Sequence, residues 1–137
     1  EEFGDERKSI DVLMTKLRSL VEETGVALLL VSHLRRRTGD KGFEEGKEVT
    51  LSHLRGSASI GHLSDAVIAL ERNQQSEDET EANTNVIRIL KNRYTGDTGV
   101  AEHLYYDKET GRMSAIENPF VAERHTTEDD DDLPFEV

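Results

Sequence analysis

The sequence contains no cysteine, which excludes disulfides and thiolate metal sites and fits a reducing compartment. It also lacks any apolar run near the roughly 18 residues of a membrane-crossing helix. Its longest such run is Val26 to Val31. The opening residues, EEFGDERK, are neither a signal peptide nor a transit peptide. There is no starting Met, as a fragment would show. Apolar content is only 34%, no more than the charged content, so part of the chain is expected to be tail or mobile loop. His53, His62, His103 and His125 show no metal-ligand spacing, and no metal site is expected from them.

What is present is acid, unevenly spread. The net charge is −12, but residues 117–137 hold eight acids against Arg124, which leaves −5 for residues 1–116. Glu77, Asp78, Glu79 and Glu81 supply four of those charges in one loop. The remaining body is close to neutral and carries a basic cluster, Arg35-Arg36-Arg37 with Lys41. An acidic total therefore leaves nucleic acid open as a partner.

Residues 5–24 read as an amphipathic helix, with Ile10, Leu13, Met14, Leu17, Leu20 and Val21 at three- and four-residue steps and Gly25 as the stop. The segment VALLLV, 26–31, reads as a strand buried on both faces of a parallel sheet. A charged loop follows over 35–49. Thr50 is expected to cap a helix over 51–63, and AVIALE, 66–71, reads as a second buried strand. After an acidic loop at 73–84, strand 85–91 pairs through a TGDTG turn with strand 100–106. A last turn at 107–111 leads to strand 112–116. The fold class is therefore α/β, a parallel core extended by antiparallel C-terminal strands. It reads as incomplete, because helix 5–24 has no preceding strand to cross over from. Residues 1–116 form the domain, and residues 117–137 read as a disordered acidic tail.

The densest chemistry lies in NVIRILKNRYTGDTG, 85–99. An apolar strand ends in Lys91, Asn92 and Arg93, and glycines allow the sharp turn beyond. A rigid strand holding a guanidinium at its tip suits an arginine finger that neutralises a transferring phosphoryl group. A surface cation capping a hairpin would look the same.

The segments together resemble the C-terminal part of a superfamily 4 ring helicase with a RecA-like motor, most nearly the replicative primase–helicases of short-tailed coliphages. The likeness rests on DERK at 5–8, MTKL at 14–17, SHL at 32–34, EEG at 44–46, LRGS at 54–57, LSD at 63–65, IALERNQQ at 68–75, RILKNRYTGDTG at 88–99 and YDKETG at 106–111. It covers about residues 5–116. The family's P-loop, G-x-x-x-x-G-K-[ST], is not in the sequence, so the chain resembles an incomplete RecA-like motor whose Walker half lies upstream.

The resemblance implies roles for particular residues. Arg93 would be the finger reaching a neighbouring subunit's nucleotide, with Lys91 adding to the same field. His33 would be a γ-phosphate sensor; a strand-end histidine capping backbone is the plainer alternative. Arg35, Arg36, Arg37 and Lys41 would grip a single DNA strand in the ring channel, unless they are a solvated charge run. Arg55, Gly56 and Ser57 would form a second DNA-binding element, or an ordinary helix of small residues. Gly61 and His62 depart from the Arg–Gln pair of the nearest relatives. Arg72 and Tyr106 would sandwich the nucleotide base, or serve as strand packing with Arg72 paired to Glu71 or Glu102. Tyr105 would face the other way. In the tail, Asp129, Asp130, Asp131 and Asp132 with Phe135 would dock on a basic patch of a replicative polymerase or another replication protein, or merely solubilise the chain.

The function implied is part of a hexameric replicative DNA helicase in the cytoplasm of a bacterial host. It would use ATP or dTTP with Mg2+, bound mainly by the P-loop half and a neighbouring subunit. The chain alone would be inactive. A freestanding interaction module, or part of a recombinase-type ATPase, are the alternatives.

Overall fold

The computed structural model describes residues 2–35, 42–56 and 58–119. Arg36, Arg37, Lys41, Ser57, Asp129, Asp130, Asp131, Asp132 and Phe135 lie outside the described residues, as does the expected tail from residue 120 onward.

Helix α1 spans Glu2–Thr24 and ends where the sequence places the stop. Gly25 takes a φ of 69° and its N–H bonds Val21 O at 2.9 Å, a left-handed cap that favours glycine. Met14 is buried, while Leu13 and Leu20 of the expected apolar stripe are about half exposed.

Strands β1 (Ala66–Glu71), β2 (Thr84–Asn92), β3 (Gly99–Tyr106) and β4 (Met113–Ile116) form one sheet in the order β1-β2-β3-β4. Every pairing is antiparallel. The β2–β3 hairpin and β4 lie within a residue or two of their expected limits. The parallel core does not form among the described residues. Residues 26–31 make no strand, and their side chains are exposed, Leu29 at 89% and Val31 at 83%. A strand of that kind forms only with neighbours to take its N–H and C=O groups, and none is present among the described residues. β1 forms as expected but buries one face only. Ala69 and Glu71 are buried, while Ile68 and Leu70 are 54% and 68% exposed.

The helix expected over 51–63 is two pieces, a 3-10 turn at Leu51–His53 and helix α2 at Ser59–Leu63. The break has a cause. Leu54 is extended and bridges Leu34, and Gly56 sits at φ 105°. A Cβ on Gly56 would strain this positive φ and push aside the Ile10 side chain of α1, so the conformation favours glycine here. Within the acidic loop, Asp78 caps a short helix α3, Glu79–Ala82, by accepting from Thr80 N at 2.8 Å and Glu81 N at 3.1 Å.

The core is small: Met14, Val49 and Ala69 are its buried apolar residues among those described. Polar bonds do much of the remaining fixing. Glu71 is buried and accepts from Val49 N at 2.5 Å and from Arg88 Nε at 3.1 Å, which ties residues 48–49 to one face of the sheet. Among the described residues, no helix is long and apolar enough to cross a membrane.

Candidate nucleotide and nucleic-acid site

Antiparallel pairing decides which site residues meet. Ala66 opposes Asn92 at one end of the β1–β2 ladder, and Glu71 opposes Val86 at the other. Arg93 and Arg72 therefore leave the sheet from opposite ends, roughly 20 Å apart at ~3.3 Å per residue.

At the first end, β2 delivers Lys91 and Arg93 to the end of α2. Lys91 Nζ donates to Gly61 O at 2.7 Å and to His62 O at 3.0 Å. Arg93 Nη2 donates to His62 O at 3.0 Å, and Arg93 Nη1 to Asp65 Oδ1 at 2.7 Å. The backbone N–H of Arg93 bonds Asp65 O at 2.8 Å, which pins the strand end itself. Asp65 also takes Arg18 of α1, whose Nη1 lies 2.9 Å from both carboxylate oxygens. Glu22, then Asp65, raise the pKa of the Arg18 guanidinium above its usual value, so its charge is constant. Asn92 Oδ1 accepts from Tyr94 N at 3.1 Å, and Gly96 N bonds Asn92 O at 2.8 Å, closing the turn that presents Arg93.

At the other end, Arg72 and Tyr106 converge on Asn83. Arg72 Nε donates to Ala82 O at 2.5 Å, and its Nη2 to Asn83 Oδ1 at 3.3 Å. Tyr106 N bonds Asn83 O at 2.9 Å. Arg72 thus caps the end of α3 rather than pairing with Glu71 or Glu102. It also lines a cavity of about 450 Å³ with Asn73, Glu81 and His103. Tyr105 and Tyr106 oppose Ser114 and Met113, successive positions of β4, and so point to opposite faces.

The sensor and DNA-binding candidates form a third group. His33 O accepts from Arg55 N at 3.0 Å, and Arg35 N bonds His53 O at 2.8 Å, flanking the Leu34–Leu54 bridge. Arg35 Nε also donates to Leu54 O at 3.0 Å. The side chains of His33, Arg35 and Arg55 are exposed. A cleft of about 510 Å³ beside them is lined by Arg7, Asp11, Arg35 and His62.

These groups suit a polyanion. Cations stand at a strand tip and along a cleft, and both carboxylates nearest the strand tip and β2 are already committed to arginines. Among the described residues, no three His, Asp or Glu side chains group as a metal site.

Comparison with known proteins is decisive for the family. Residues 2–115 match the DnaB-like helicase C terminal domain. The chain belongs to this family. It is also 48% identical, over 110 residues, to a DNA helicase/primase of Enterobacteria phage T3. That match covers 80% of the chain but only 19% of the phage protein, so the chain spans about a fifth of this relative's length.

For a DnaB-like C-terminal segment, two residues stand out that their local sequence did not mark as functional. Asp65 and Arg18 are 47 positions apart, and no spacing rule connects them. The LSD at 63–65 carried family likeness but no assigned role.

Proposed function

We propose that the chain is the C-terminal portion of a RecA-like motor in a hexameric replicative helicase, coupling nucleotide hydrolysis to movement along single-stranded DNA. The observation that carries this is the strand tip. β2 holds Arg93 and Lys91 at the end of a hydrogen-bonded ladder, clear of Arg72 and Tyr106 at the opposite end. In a ring, one end then serves a neighbouring subunit's phosphates while the other stacks on a base. A guanidinium plane and a phenol ring suit a purine or pyrimidine face alike.

The P-loop half expected upstream supplies the phosphate cradle and Mg2+, which neutralises phosphate charge when bound. ATP or dTTP is the nucleotide. His33 senses the γ-phosphate at the head of the segment that bonds Arg55. Arg35, Arg55 and Gly56, with Arg36, Arg37, Lys41 and Ser57, then grip the DNA backbone without reading sequence. The acidic tail, Asp129 to Asp132 with Phe135, docks on a replication partner such as the polymerase. The setting is the cytoplasm of a bacterial host.

Arg93→Ala in the assembled full-length ring tests this directly. Hydrolysis should fall by roughly 10³-fold or more with little change in nucleotide KM. A wild-type rate would remove Arg93 from the mechanism. The 137-residue chain alone should hydrolyse no nucleotide.

A further inference from the structure

We propose that Asp65 is a positioning residue that parks the Arg93 side chain on its own subunit and releases it when the DNA-binding element moves. This rests on the reading of Arg93 as a finger. As seen here, the guanidinium is bound at both ends of its fork, to Asp65 Oδ1 at 2.7 Å and to His62 O at 3.0 Å. To turn its whole fork toward a phosphate on another subunit, it would give up both bonds.

Release is made easy by Arg18. One carboxylate faces two guanidiniums, at 2.9 Å and 2.7 Å. When Arg93 leaves, Asp65 keeps Arg18 and no carboxylate is stranded. Arg93 and Asp65 are 40% and 33% exposed, so solvent screens their pairing. A phosphate, with more charge, competes well against such a partner.

The trigger is built into α2. This helix has five residues, and its last turn supplies both carbonyls that hold the cations, Gly61 O and His62 O. Just before it lies Arg55-Gly56, hydrogen-bonded to the His33 segment. A strand of DNA that shifts 55–56 shifts α2, and with it the seat of Arg93. Two sites then bias one two-state element, which is the physical requirement for coupling.

The test uses opposite signs. In the full-length ring, Asp65→Asn should raise the DNA-independent hydrolysis rate roughly 5-fold, the low end of common coupling factors, and leave the DNA-saturated rate within about twofold. Arg18→Gln should do the reverse: Asp65 then holds Arg93 alone, the DNA-independent rate falls, and more DNA is needed for half-stimulation. Asp65→Glu should restore the wild-type ratio. A merely structural role lowers both rates in both variants, and that outcome overturns the proposal, as does an unchanged ratio in Asp65→Asn. A second readout needs no activity. In ¹⁵N spectra of the 137-residue chain, the Arg93 guanidinium should rotate slowly and show protected N–H signals, lost in Asp65→Asn. Identical Arg93 signals in the two chains overturn the parking. Arg93→Ala separates the two ideas: if it hydrolyses normally the finger reading fails, whereas an inactive Arg93→Ala with an unaltered Asp65→Asn defeats only the parking.

Discussion

Arg88 and Arg93 lie five positions apart, one within β2 and one just past its end, yet they are held in opposite ways. Arg88 is 18% exposed and bonds a carboxylate, Glu71, that is 4% exposed and also takes the Val49 N–H. Arg93 is 40% exposed and shares a half-open carboxylate with a second arginine. The first pair cannot separate without burying a lone charge. The second can separate at small cost, because water and Arg18 stand ready. One strand thus carries a fixed arginine in its middle and a releasable one at its tip. Burial of the partner, rather than the residue type, sets which is which.

The largest effect should come from breaking the fixed pair. Glu71→Ala leaves the Val49 N–H without its acceptor and Arg88 with only the exposed Glu48, 3.5 Å away, and should lower stability by about 3 kcal/mol in urea unfolding. Next is Gly56→Ala, which strains a positive φ and collides with Ile10; a loss of roughly 1–3 kcal/mol is expected by the same measurement. Arg93→Ala should cost no more than about 1 kcal/mol of stability. If it destabilises the chain as much as Glu71→Ala, the contrast between the two arginines collapses. The smallest effect concerns Asp107. Its carboxylate accepts from Glu109 N at 2.8 Å, and that bond first, then Thr110, holds its pKa below the ordinary value. Because the folded value is depressed, its contribution is present above the ordinary aspartate pKa and fades as pH falls through the lowered one. Acid unfolding of Asp107→Asn should lack that increment.

Much of this was legible in the sequence because it is local. The β2–β3 hairpin shows in its apolar strand and turn glycines, α1 in its period and Gly25, and the Arg93 tip in strand followed by turn. What was not legible depends on partners far along the chain. VALLLV reads as buried because its composition is uniform, but composition says what a segment requires and not whether its neighbours are close by in the same stretch. AVIALE formed a strand and left Ile68 and Leu70 open for the same reason. The helix over 51–63 was broken by a bridge to Leu34, and no periodicity within 51–63 registers that contact. Asp65 was not marked because its importance comes from Arg18, on α1.

The exposed segment Val26–Val31 has a practical consequence. It is a short, uncharged, proline-free apolar stretch rich in β-branched and leucine side chains, with no ladder partner among the described residues. Such a stretch is a template for self-association into cross-β stacks. Against it stands the molecule's net charge of −12, which keeps copies apart in dilute salt. Salt screens that repulsion but leaves the apolar attraction in place, so colloidal behaviour should worsen as ionic strength rises.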